Sequence, residues 1–308
     1  MGKITSEVIK GISKTDISIK KNYKLFRILQ KIINPSFINK KDYEDIIFDL
    51  DDRKIKARVF KSCTGKENSK LIIFIHGGGW VTGSVDSYTN TCIELSHRTN
   101  RMVVAIDYRL APEYPYPAGF NDCYEVTKLI MKNLGSLNLS YKDVCLMGDS
   151  AGANLVAAIS LKARDTKDFK IENQVLLYPA LQTDYSNKTK YKSVIENGKD
   201  YLLTQKQLQE YMNLYVTNPK DLNNPYVAPL KARTLFFQPR TLLITSNHDP
   251  LRDEGKKYAR RLKLYFNYVV YYNFEDAIHG FLSQPIGKKN KMEAYKRIIQ
   301  FLGDDKDE

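Results

Sequence analysis

The stretch that most constrains the fold is Val144–Gly152, V-C-L-M-G-D-S-A-G. Val144 to Met147 is a short apolar run of the kind that forms a parallel strand buried on both faces. It leads into Gly148-Asp149-Ser150-Ala151-Gly152, a G-x-S-x-G pattern, and then into the helix-like Ala153–Arg164. Strand, tight turn and helix hold the central serine in a strained backbone conformation, its hydroxyl above the sheet edge. Gly148 and Gly152 are needed because strand and helix pass too closely for side chains. Ala151 presents its N–H at the helix start, where unpaired amides can hold an anion. In this context Ser150 is a candidate nucleophile.

A second signal lies upstream. Lys70–Ile75 reads as an uninterrupted apolar strand and ends in His76-Gly77-Gly78-Gly79-Trp80. Three glycines directly after a central strand cost backbone entropy. They fit a backbone that approaches something closely and points N–H groups at it, as an oxyanion hole requires. Gly77, Gly78, Gly79 and Ala151 are therefore the candidate oxyanion donors.

The rest of the chain alternates. Residues 1–40 are expected to be helical and amphipathic, with Ile28, Leu29, Ile32 and Ile33 on one side, ending near Asn34-Pro35. Tyr43–Leu50 and Lys54–Phe60 read as an antiparallel pair turned at Asp51-Asp52. Further strands are expected at Met102–Asp107, Gln174–Tyr178, Thr241–Ser246 and Tyr268–Phe274. Helices are expected at Tyr88–His97, Asn121–Asn133, Asp253–Lys263 and Met292–Phe301. Residues 185–235 interrupt the alternation, with Tyr201–Tyr215 helical. Such a pattern predicts an α/β fold, a mostly parallel central sheet with helices on both faces. The expected organisation is an N-terminal helical cap segment (1–40), a core (41–184), a cap or lid insertion (185–235) and the second part of the core (236–308).

Active sites in such sheets lie at the carboxyl ends of the strands, which selects the acid and the base. Of the four histidines, His279 follows the last strand and comes after the serine, in the order Ser…Asp…His. Asp249 follows the preceding strand directly. Asp253 and Glu254 compete with it, but their position in the first turn of the next helix fits capping. His97 falls in a helix, and His76 fits a structural role in the glycine loop. Asp149 and Arg109 read as supporting residues. Trp80 and Phe281 flank the motifs and are candidates to line a pocket. No metal-ligand spacing is present, and no metal or other cofactor is expected.

Composition narrows the partners. No apolar run reaches the ~20 residues of a membrane span, and the first residues lack a signal-peptide core. Cys63, Cys92, Cys123 and Cys145 read as reduced thiols of a cytoplasmic protein. The net charge of +13 is spread along the chain without a recognition motif, so nucleic acid is not an expected partner. Tyr268–Phe274 leaves a sheet edge through which two copies could pair as a homodimer.

With those residues in place, the sequence resembles the hormone-sensitive-lipase-like (bacterial family IV) esterases of the α/β-hydrolase superfamily. The motifs are H-G-G-G-W with Gly83 and Asp86, D-Y-R-L-A-P-E, G-D-S-A-G, D-P-L-R-D-E-G and H-G-F, in family order from about residue 40 onward. Asn224-Pro225-Tyr226-Val227-Ala228-Pro229-Leu230 resembles the lid-return segment. His248 is a departure, standing where a less polar residue is expected. The resemblance implies an α/β-hydrolase fold with a helical cap and cofactor-free hydrolysis of small or short-acyl carboxylic esters. It agrees with the residue reading, a Ser150–His279–Asp249 triad forming an acyl-enzyme. Amide or formamide hydrolysis uses the same machinery and stays open, as does a non-catalytic ligand-binding protein on this fold.

Overall fold

The computed structural model describes residues 18–33, 43–62, 70–284 and 287–303. Among them, eight strands form one sheet: β1 (Tyr43–Leu50), β2 (Arg53–Phe60), β3 (Leu71–Ile75), β4 (Met102–Asp107), β5 (Val144–Asp149), β6 (Asn173–Leu177), β7 (Arg240–His248) and β8 (Val269–Ile278). Their spatial order is β1-β2-β4-β3-β5-β6-β7-β8. The first two pairings, β1 with β2 and β2 with β4, are antiparallel, and the others are parallel. The mostly parallel α/β sheet read from the alternation is therefore the one observed, in keeping with the fold that the resemblance implies.

Period-two alternation divides the core. Leu71, Ile73 and Ile75 of β3 join one cluster. Its helices are α3 (Ala118–Lys132), α4 (Ala151–Thr166) and α7 (Arg252–Leu264). Ile72 and Phe74 join the other, under α2 (Val85–Thr99) and α8 (Lys288–Leu302). Every residue of β3 is buried, as a strand covered on both faces should be.

Helix limits follow their caps. The expected helix at Tyr88 starts earlier, at Val85, because Ser84 and Ser87 form a capping box that supplies orphan amides with acceptors. It ends at Asn100, whose left-handed φ of 48° reverses the chain. Strand β8 runs past the expected Phe274 to Ile278, and its pairing with β7 shifts register between Ser246 and His248. Both strands consequently end level with the site. Within residues 185–235 lie α5 (Lys192–Asn197) and α6 (Gln205–Tyr215), the latter opened by a Thr204 capping box.

The N-terminal helix turns its expected apolar side to solvent. α1 (Ile19–Ile33) is amphipathic, but Ile28, Leu29 and Ile32 face outward together with Leu25. The face on the domain carries Ile19, Tyr23 and Phe26, with Arg27 and Gln30 bonded to loop residues. Matching polar groups to those loop groups sets the helix's rotation. Asn34-Pro35 and Cys63 lie outside the described residues; Cys92, Cys123 and Cys145 are buried, and none is in a disulfide with another described residue.

Candidate active site

Ser150 stands between β5 and α4 with φ 53° and ψ −119°, a conformation that costs a non-glycine residue on the order of 1–3 kcal/mol. Packing holds it there. A Cβ on Gly152 would collide with the Ile75 carbonyl, and one on Gly148 would lie 2.6 Å from the Gly152 carbonyl carbon. The Ser150 amide donates to Leu177 O on β6 at 2.8 Å.

The acid and the base leave adjacent strands. Asp249 follows β7, is fully buried, and accepts the Leu251 amide at 2.8 Å. His279 follows β8. Its Nδ1 lies 2.8 Å from Asp249 Oδ2, and its Nε2 lies 2.9 Å from Ser150 Oγ. Since an ionised carboxylate can only accept, Nδ1 carries the proton and Nε2 is free to accept from the hydroxyl. The three residues thus form one hydrogen-bonded chain, with the imidazole 12% exposed at its open end.

The two competing acids serve other contacts. Asp253 accepts the Ser193 amide at 2.9 Å. Glu254 is buried and accepts the Leu181 amide at 2.6 Å and the Tyr185 hydroxyl at 3.2 Å. Burial pushes its carboxyl up to about 8. Neither caps its own helix, because the chain before and within the insertion lies across the helix start.

In the glycine loop, the Gly77 amide was expected among the oxyanion donors but is otherwise engaged. It donates to Asp149 Oδ1 at 2.8 Å. Gly78 and Gly79, with φ of 111° and 61°, and Ala151 have amides with no acceptor among the described residues. His76 supports the loop as expected: Nδ1 meets Gly77 O at 2.8 Å, and the ring stacks on Tyr108 at 4.4 Å. Burial lowers its pKa and keeps it neutral. Trp80 and Phe281 are core residues rather than pocket walls. Trp80 stacks on Tyr215 of α6 at 4.5 Å, and Phe281 packs between Tyr178 and Phe274.

Supporting residues explain the remaining motifs. Asp149 is buried and also accepts from Tyr88 Oη at 3.0 Å and Tyr178 Oη at 3.4 Å. Burial raises its pKa to about 6, opposed by these donors and by His279. Tyr178, at φ 37°, sets its ring edge-on to His279, centroids 5.0 Å apart. Arg109 forks onto the buried Asp122. Asn154 on α4 donates to Ala180 O and Val227 O, tying the return segment to the serine's helix. The Tyr211 ring of α6 lies against Gly79, where a Cβ would meet it at 2.5 Å. His248 stacks on Tyr201 at 4.8 Å, and burial lowers its pKa. Tyr88, Tyr178 and Tyr211 carry no sequence signal of their own, since each reaches the site from a separate element. Among the described residues, no three His, Cys, Asp or Glu side chains are placed to hold a metal.

A mostly parallel sheet with a strained serine after its central strand, and an acid and a histidine leaving the ends of β7 and β8, defines an α/β hydrolase. Residues 72–283 match the α/β-hydrolase fold family, and the chain belongs to it, in its hormone-sensitive-lipase-like branch. It is 34% identical over 242 residues to an arylesterase of Saccharolobus solfataricus, covering 78% of this chain and 77% of that one. It is 30% identical to the carboxylesterase NlhH of Mycobacterium tuberculosis, covering 80% and 77%. The structure of a hyperthermophilic esterase from the archaeon Pyrobaculum calidifontis superposes with a TM-score of 0.84 at 30% identity, covering 98% and 97%.

Proposed function

We propose that this protein is a serine carboxylic-ester hydrolase acting on small or short-acyl esters through an acyl-enzyme. The observation that carries the reading is the hydrogen-bonded chain from Asp249 through His279 to Ser150, with links of 2.8 and 2.9 Å. His279 Nε2 takes the hydroxyl proton as Ser150 Oγ attacks the ester carbonyl. Asp249 keeps the imidazole in the required tautomer and stabilises the imidazolium. The amides of Gly78, Gly79 and Ala151 receive the oxyanion, each donor worth about 3 kcal/mol in the transition state. His279 then protonates the leaving alcohol, and water, deprotonated by the same nitrogen, releases the acid.

Segments 1–40 and 185–235 act as the cap over a core of 41–184 and 236–308. Their described parts meet where the Glu210 carboxylate of α6 accepts from the amides of Ile19 and Lys20 on α1. The Tyr211 ring against Gly79 narrows the space beside the oxyanion donors, which supports short acyl groups. The names of the arylesterase and carboxylesterase relatives support esters over amides. The buried thiols of Cys92, Cys123 and Cys145, outside any disulfide among the described residues, support a cytoplasmic location, and the outer edge of β8 supports pairing of two copies.

The test is hydrolysis of p-nitrophenyl esters from acetate to palmitate, with an aryl acetamide beside them. Turnover that falls with chain length and vanishes in Ser150→Ala supports the proposal. Turnover confined to the amide replaces it with amide hydrolysis. No turnover by folded protein leaves the ligand-binding reading.

A further inference from the structure

A helix on a protein surface ordinarily buries its apolar stripe and shows its polar side to water. α1 does the reverse over part of its circumference. Arg27 and Gln30 face inward: Arg27 donates to Val81 O at 2.8 Å and Ala111 O at 2.9 Å, and Gln30 Oε1 accepts the Gly83 amide at 2.8 Å. Facing outward at i, i+3, i+4 and i+7 are Leu25, Ile28, Leu29 and Ile32, exposed by 51%, 56%, 39% and 64%. Four aliphatic side chains on one exposed stripe are a contact surface rather than scattered surface residues.

Charge says what the surface fits. Between Asp16 and Asp42 the sequence holds no acid, while α1 itself carries Lys20, Lys21, Lys24, Arg27 and Lys31. Lys20, Lys21 and Lys24 are exposed. The acids that touch the helix are spent on its inner side and its end. Glu113 pairs with Arg27, and Glu210 accepts the first amides of the helix. An exposed aliphatic stripe flanked by lysines is the composition of a helix lying in the headgroup layer of an anionic membrane. A second copy of the chain would set like charges against each other. Nucleic acid would leave the aliphatics without bases to stack on, since stacking calls for exposed aromatic rings.

We propose that α1 docks the protein on an anionic lipid surface, with Leu25, Ile28, Leu29 and Ile32 entering the interface and the lysines contacting headgroups. Arg27 and Gln30 anchor the same helix to residues 81–83 and 111, directly after the glycine loop, so docking brings the catalytic end of the sheet toward the lipid. Binding needs no turnover, so its failure and the failure of the ester-hydrolase reading are separate results.

The test is flotation of the full chain with phosphatidylcholine vesicles, with and without phosphatidylglycerol, at low and high salt. The expected result is binding only where phosphatidylglycerol is present, weakened by salt. Leu25→Ser with Ile32→Ser should weaken it by roughly tenfold or more, with unchanged hydrolysis of a water-soluble ester and an unchanged melting temperature showing an intact fold. Phe237→Ser with Phe266→Ser is the control. These residues are 87% and 89% exposed but precede β7 and β8, at the opposite end of the sheet, so binding should persist. Several results would overturn the proposal: no flotation with either vesicle, equal binding to neutral vesicles, or equal loss in the control variant. So would a dimer that dissociates in the Leu25/Ile32 variant, or DNA binding that the same variant abolishes.

Discussion

The carboxylate of Asp149, the residue before Ser150, accepts the Gly77 amide at 2.8 Å. The serine turn and the glycine loop, more than seventy positions apart in sequence, are locked together by this bond. The bond ties the backbone of the glycine loop to the turn that carries Ser150. It also places a buried carboxylate close enough to His279 to interact with it.

Asp149→Asn should separate activity from stability. Asn keeps an acceptor for Gly77 but removes the charge facing His279, so kcat should fall about tenfold with little change in KM. The folded-state pKa, raised to about 6, lies above the ordinary carboxylate value. Its stabilising contribution is therefore present below about pH 4 and lost as pH rises through about 6. Above that pH the variant should be more stable than wild type by about 3 kcal/mol, and the gap should close in acid. Melting curves at both pH values decide it; a variant less stable at every pH would show that the charge itself holds the loop.

Asp249→Asn should leave the fold intact and reduce kcat by roughly 10³–10⁴-fold. An amide in place of the carboxylate can donate to Nδ1 and thereby favour the wrong tautomer. Steady-state rates with a short p-nitrophenyl ester measure this. A loss of less than tenfold would mean that the imidazole does not depend on Asp249.

Glu254→Gln tests the other buried acid. With its pKa pushed up to about 8, Glu254 is mostly protonated at neutral pH. Its contribution to stability is present below the ordinary carboxylate value and declines as pH rises through about 8. The variant should match wild type near about pH 4 and exceed it increasingly up to about pH 8, where the gap levels off. Thermal denaturation across that range is the measurement, and parallel curves would mean that the acid does not change charge there.

Tyr211→Ala removes the ring that lies against Gly79. The optimum acyl length should move to longer chains, with kcat/KM for acetate reduced several-fold. An unchanged chain-length profile would place the limit on acyl length elsewhere in the site.

Gly152→Ala should prevent folding or cost several kcal/mol, because the added Cβ meets the Ile75 carbonyl and neither backbone can retreat. Soluble, fully active protein would contradict the packing at this crossing.

The sequence made the sheet, the serine turn and the order of serine, acid and histidine legible for one physical reason. These residues sit at strand ends, and strand ends are marked by where apolar runs stop. Asp249 and His279 could be chosen because each follows such a run, although nothing in the sequence gives the distance between them. Other features needed coordinates. The Gly77 amide could not be assigned to Asp149 without knowing which loop faces which. Tyr88 and Tyr178 converge on that carboxylate from a helix and a strand end, and neither sits in a motif. The stripe on α1 was visible as a stripe, but its direction depended on Arg27 and Gln30 finding loop partners. Trp80 and Phe281 flanked the right motifs, yet proximity in sequence could not distinguish a cavity wall from filling.

Of the three residues in the hydrogen-bonded chain, the imidazole comes from the latest part of the sequence, after the sheet's outermost strand has joined β7. During synthesis, β3, β5 and the serine turn leave the ribosome before residue 279 is made. Such a chain would hold a serine hydroxyl with no base beside it. On the proposed mechanism, a delay separates the appearance of Ser150 from its use. The onset of hydrolysis during synthesis would time the docking of the final strand.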